Sequence, residues 1–283
     1  MSFAKLAPPK DFTVSFKNIN RLSTNIQTFN KNIEMKAKIN SLSGTAFNFA
    51  VDIRDNLVPK LKSIGLDLAA CINIAEKEIK TFGENMVKIC EALKVPNVDI
   101  NELKGALKTA LAQSQLVQKI INEGITPDLD LYERKLNGLI SELSSEKLAI
   151  KDNDGVLKRH RNEILQKIKA RTHTVSGVVE TIWDAITFQL QDKLEKDERD
   201  LAQIQLQFNA NSIAIGAASS MIGTLTSFDA EMDSQSRYWV VFSTLLHALD
   251  TDIQELLNAH DNDIESLYIE LVESDWTAIK NAK

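Results

Sequence analysis

Proline disappears from this chain after position 127: all five prolines lie at or before Pro127, and the 156 residues beyond it have none. The commonest helix breaker is therefore missing from more than half the sequence, which predicts long helices there. Aromatic residues make up only 6%, fewer than a sheet sandwich favours. There are two cysteines, Cys71 and Cys90, nineteen residues apart in one expected helix. At about 1.5 Å rise per residue they stand roughly 28 Å apart and do not bridge each other. The chain has no phosphate-binding glycine loop, no Cys-x-x-Cys and no His-Glu-x-x-His. Its four histidines, His160, His173, His247 and His260, are too dispersed for a metal triad. No catalytic residue, cofactor or metal site is expected, and the chain does not read as an enzyme.

Charge is also unevenly spread. The formal net charge is −6, with lysine and arginine scattered among the carboxylates, so no basic stripe is available for nucleic acid. No run reaches the roughly 20 apolar positions of a transmembrane helix, and the N-terminus lacks a typical secretory signal. The run from Asp192 to Asp200 mixes both signs at helical spacing, as a solvated helix face does. Directly after it, from Leu201 to Phe228, come twenty-eight residues without one charge.

What is present is helical periodicity. Leu129, Leu136, Leu143, Ile150, Leu157 and Ile164 recur every seven residues, partnered by Tyr132, Leu139 and Ile140. The repeat passes unbroken through the turn-like Lys151-Asp-Asn-Asp-Gly155, which predicts one helix near 128–172. A second repeat takes Leu194, Leu201, Phe208, Ile215 and Ile222, with Leu190, Ile204, Ala218 and Leu225 on the same face. Upstream, Phe12, Ile19, Ile26 and Ile33 mark one helix. Leu61, Leu68, Ala75, Phe82 and Ile89, with Ile72, Ile79 and Met86, mark another that Pro59 starts or kinks. Asp99 is placed to cap a helix from Ile100 to about Ile121, which Gly124 and Pro127 close. Trp239, Phe242, Leu246, Leu249, Ile253 and Leu256, then Ile264, Leu267, Leu271 and Ile279, give two C-terminal stretches. The expectation is an all-α, elongated bundle of about five or more long antiparallel helices in a single domain, 1–283. Residues 12–172 and 189–283 form the tail bundle and 173–188 a small apolar head.

Two segments stand apart from ordinary packing. Phase is lost around Arg171-Thr-His-Thr-Val-Ser-Gly177, the expected hairpin tip between helices some 65–80 Å long. There the chain runs Val175-Ser-Gly-Val178-Val179-Glu180-Thr-Ile182-Trp183-Asp184-Ala-Ile186-Thr-Phe188. At the end of a rod few neighbours cover such residues, which are exposed, hidden in an oligomer or directed at a membrane or partner. The second is the charge-free stretch. It is either a helix buried on several faces or a membrane-inserting segment, with Ile213, Ile215, Met221, Ile222 and Leu225 as its apolar residues.

The C-terminal half carries Tyr238-Trp239-Val-Val-Phe242-Ser-Thr-Leu245-Leu246 and, near the end, Ser274-Asp275-Trp276-Thr-Ala-Ile279. With the helical rod, the apolar mid-chain tip and the missing cofactor motifs, these patches resemble the cytolysin A superfamily of α-helical pore-forming toxins. The likeness is to the tripartite branch, which includes haemolysin BL and the non-haemolytic enterotoxins. The resemblance implies a secreted virulence component, exported without a typical signal peptide, that passes from a soluble to a membrane-associated form. It implies partner toxin subunits, an oligomeric pore and lysis of the target cell; in the soluble form the apolar tip must be masked, which predicts a homo-oligomer or a folded-back tip. The head then comprises Val175, Val178, Val179, Ile182, Trp183, Ile186 and Phe188. It is shorter than the apolar tongue of many members and keeps Glu180 and Asp184. With those carboxylates on one side, about six apolar residues at about 1.5–3 kcal/mol each supply more than about 10 kcal/mol for insertion before ordering costs. The alternative expectation is a non-enzymatic helical scaffold or adaptor that binds another protein through its tip.

Overall fold

The computed structural model describes residues 6–9, 12–33, 44–95, 99–172, 180–258 and 263–281. The described residues form seven α-helices: α1 (Phe12–Asn32), α2 (Gly44–Asp52), α3 (Val58–Leu93), α4 (Ile100–Lys119), α5 (Thr126–Thr172), α6 (Glu180–Asn258) and α7 (Asp263–Lys280). Among the described residues there is no strand, so the fold is an all-α helical bundle. The chain divides into two compact units. Unit 1 comprises Met1–Asn30, Ser63–Glu133 and Met221–Lys283; unit 2 comprises Lys31–Lys62 and Arg134–Ser220.

Two prolines inside helical runs are handled in the same way. Pro59 and Pro127 each take the second position of a helix, α3 and α5, directly after a π-helical turn, Ile53–Leu57 and Ile120–Ile125. Proline lacks an N–H and its ring crowds the carbonyl four residues back. The wider turn absorbs this: Val58 N–H donates to Ile53 C=O and Thr126 N–H to Ile121 C=O, both five residues back. Gly124 and Pro127 therefore do not close a helix as the sequence suggested. Helical structure continues from α4 into α5, and likewise from α2 into α3. Asp99 does cap α4: its backbone is extended and its carboxylate accepts from Asn101 N–H at 2.8 Å.

Unit 1 packs around an aromatic cluster. Phe12 (α1), Phe82 (α3), Tyr238, Trp239 and Phe242 (α6) and Trp276 (α7) touch with ring centroids 4.5–6.1 Å apart. The segment before α1 joins this core. Leu6 is buried, its C=O accepts from Trp276 Nε1 at 2.9 Å, and Ala7 C=O accepts from the Tyr238 hydroxyl at 3.4 Å. Where α1, α3 and α5 meet, the buried Tyr132 hydroxyl donates to Asn30 Oδ1 at 2.9 Å beside Gly65. On α3 the expected row Leu61, Leu68, Ala75, Phe82 and Ile89, with Ile72, Ile79 and Met86, is buried throughout. Cys71 and Cys90 lie on this helix as free thiols, and burial pushes the Cys90 thiol up to about 12. On α7 the buried row is Ile269, Val272, Trp276 and Ile279, whereas Leu267 and Leu271, which marked the helical stretch in the sequence, are exposed.

Unit 2 is built on α5 and α6. Ile150 and Ile204 pack against Ala46 and Ala50 of α2, flanked by Val51, Ala149, Leu157 and Phe208. His160 Nδ1 meets Asp197 Oδ2 at 2.8 Å and Arg161 reaches Glu198 at 3.1 Å. Glu146 meets Gln207 and, farther along α5, His160 meets Asp197, so the two helices run antiparallel. The remaining charged residues from Asp192 to Arg199 are exposed, a solvated face as their spacing predicted.

Candidate membrane-active segments

The expected tip lies where α5 ends, at Thr172, and α6 begins, at Glu180. Val175, Val178 and Val179 fall outside the described residues. Ile182, Trp183, Ile186 and Phe188 fall in the opening turns of α6, with side chains outside the described set. The helical backbone there puts 182, 183 and 186 at positions i, i+1 and i+4, the spacing of a single helix face. Glu180 and Asp184 belong to a different face of the same turns.

The charge-free stretch is helical throughout, inside the 79-residue α6. It is not buried on several faces. One row is buried, through Ile204, Gln207, Asn211, Ala218, Met221, Leu225 and Phe228, at the alternating three- and four-residue spacing of a helix seam. The opposite side is open: Leu206 is 61% and Ile213 74% exposed, with Asn209, Ala210, Gly216 and Ala217 also exposed. Of the candidate membrane residues, Met221 and Leu225 are thus in the core, Ile215 and Ile222 are half-buried, and Ile213 faces out. Among the described residues no helix is long and apolar enough to cross a membrane, and no cluster of metal-ligating side chains occurs.

The sequence pattern located part of the α6 seam: Ile204, Ala218 and Leu225, expected on that face, are buried. Leu201, Phe208, Ile215 and Ile222, expected at its centre, are half-buried and flank it. The true row carries two polar residues, Gln207 and Asn211, so hydropathy alone favoured the column beside it. Opposite them on α5, Glu146 holds a core position in the row Leu129, Tyr132, Leu136, Leu139, Leu143, Glu146, Ile150 and is 0% exposed. Its polarity hid it from the same search. The signal that finds it is its spacing, three residues after Leu143 and four before Ile150.

Among the described residues two carboxyls are raised above their ordinary values. Burial holds Glu146 above the ordinary carboxylate range, and the Gln207 and Asn211 amides, which favour the charged form, offset this only in part. In unit 1, Asp229 is also raised, first by burial and then by the nearby Asp130 and Asp233 carboxylates. Cys71, beside Asp128 at 3.8 Å, is raised chiefly by burial, so neither thiol is activated for chemistry.

No family model and no curated protein sequence matches the chain. Solved structures do. The SmhB pore of the tripartite α-pore-forming toxin Smh from Serratia marcescens superposes with a TM-score of 0.61 at 13% identity, over 95% of this chain and 98% of that one. The pre-pore AhlB of the tripartite toxin AHL from Aeromonas hydrophila gives 0.47 at 13% identity, over 95% and 96%. At such identity the likeness is one of fold, and the fold of this chain is that of the α-helical pore-forming toxins.

Proposed function

We propose that the chain is a component of an α-helical pore-forming toxin, secreted, that associates with a target-cell membrane and assembles with partner subunits into an oligomeric pore. The observation that carries this is the fold shared with SmhB over nearly the full length of both chains. Two features support it. The sequence at the start of α6 sets Ile182, Trp183 and Ile186 on a helix face apart from Glu180 and Asp184, the pattern of a helix that lies in or lines a membrane with its apolar side to lipid. No described helix spans a membrane alone, which fits insertion by several copies together rather than by one. The head residues are Val175, Val178, Val179, Ile182, Trp183, Ile186 and Phe188; Ile213 is the exposed member of the second, charge-free candidate.

Dye release from liposomes and lysis of red cells, by the protein alone and with candidate partner subunits, tests the proposal. Release in at least one combination is expected. Absence of binding and release in every combination leaves the scaffold alternative, in which the tip docks a protein instead.

A further inference from the structure

Unit 2 pairs α5 with α6 along two rows in which the same kinds of side chain recur every seven residues. A seam of that sort fits nearly as well after sliding by one heptad, because one apolar layer resembles the next. One layer does not repeat. Gln207 Nε2 donates to Glu146 Oε1 at 3.0 Å and to Asn211 Oδ1 at 3.2 Å, and all three side chains are buried. Glu146 Oε2 and Asn211 Nδ2 make no hydrogen bond, although Asn211 stands near enough to favour the ionised carboxylate.

The antiparallel pairing places Glu146 opposite Gln207 and His160 opposite Asp197. A slide of one heptad would set Glu146 against Ala214 and Ala218, or against Asp200 and Ile204. It would then be buried with no amide to meet it, a penalty that apolar layers do not exact. We propose that Glu146, Gln207 and Asn211 form a register lock, which holds α5 against α6 in one alignment, and that the locked layer is itself most stable when Glu146 carries a proton.

The surroundings leave the proton to this layer alone. From α6 only the two amides face Glu146, since the helix has no charged residue between Leu201 and Phe228. α2, packed on Ile150 and Ile204 one turn away, presents Ala46 and Ala50; its nearest charges are the exposed Asp52 and the exposed Arg54–Asp55 pair just beyond it. On α5 itself, Glu142 is half-buried one turn back, Lys147 lies over the Phe208 ring at 4.6 Å, and Lys151 is exposed. Among the described residues no charged neighbour contributes to the raised affinity of Glu146 for its proton, which burial causes. A carboxyl that holds its proton more tightly folded than unfolded stabilises the folded form fully below its unfolded value, and the benefit is lost as pH rises through the folded value. Any conversion in which α5 and α6 change partners must break this layer, so pH biases whichever form keeps it.

Amide hydrogen exchange of the full chain, read on peptides from α5 and α6 around 140–157 and 200–215, tests the lock without membranes or partners. Protection of these peptides is expected to rise as pH is lowered from about 8 towards the ordinary glutamate value of about 4.3, after correction for intrinsic exchange, by up to about tenfold per pH unit, the limit for one proton. Glu146→Gln is expected to keep high protection at both pH values, since a neutral amide of the same shape needs no proton. Gln207→Glu is expected to steepen the dependence, because two carboxylates in one buried layer compel one of them to stay protonated. Retention of the full wild-type pH dependence in Glu146→Gln overturns the proposal. So does a Gln207→Glu profile parallel to wild type, which decides the matter even if Glu146→Gln fails to fold. Neither result bears on whether the protein permeabilises membranes.

Discussion

Gly65 is a place where one methyl group decides a packing arrangement. A Cβ there would stand 2.9 Å from Tyr132 Cε2 and overlap the Asn30 amide, and neither neighbour has room to withdraw, because Tyr132 is fully buried and bonded to Asn30. Gly65→Ala is expected to lower stability by about 1–3 kcal/mol in urea denaturation. The two buried tryptophans of the aromatic cluster provide a second contrast. Trp276 Nε1 donates to the Leu6 carbonyl, whereas Trp239 Nε1 is buried without a partner. Replacement by phenylalanine removes similar ring area at both sites but strands a buried carbonyl only at 276. Trp276→Phe is therefore expected to cost about 1–2 kcal/mol more than Trp239→Phe in the same measurement.

Whole helices were the most legible elements, and for a physical reason. On α3 and α5 the core rows are apolar at nearly every position, so period and burial largely coincide: Leu129, Leu136, Leu143, Ile150 and Ile164 are buried as their spacing predicts, and Leu157 is half-buried. On α6 the row passes through Gln207, Asn211 and, in unit 1, Gln235, and hydropathy slipped to the neighbouring column. The π-helical turns were not legible at all. Proline in a pattern signals an interruption, but the sequence does not say whether the chain stops or widens its turn. If the turn at Ile120–Ile125 exists to accommodate Pro127, deleting Gly124 together with Pro127→Ala restores an ordinary helix with the phase on both sides intact. The deletion alone forces proline into a regular ladder. The single variant is expected to be about 3 kcal/mol less stable than the combined one by urea denaturation; equal stabilities would mean that the turn has another cause.

At the scale of the molecule, both units hold a carboxyl that favours its proton, Glu146 in unit 2 and Asp229 in unit 1. Both folded values are raised, so both contributions share one sign: stability is greatest in mild acid and declines as pH rises through those values. The thermal midpoint is expected to fall as pH is raised above the ordinary carboxylate values of about 4, and Glu146→Gln to flatten its share of that fall. The candidate site was legible in part. The mid-chain apolar segment and the charge-free run both announce themselves by composition, but only the structure separates the buried residues Met221 and Leu225 from the exposed Ile213. The central claim is that the chain acts on membranes through its tip. The most direct measurement is dye release from liposomes, with whichever partners support it, by wild type, by Trp183→Glu combined with Ile186→Glu, and by Ile213→Glu. The account predicts that the tip variant loses at least about tenfold of the release while Ile213→Glu keeps it, in line with charges placed on a lipid-facing surface at one site and not the other. Full release by the tip variant, or loss confined to Ile213→Glu, would contradict it.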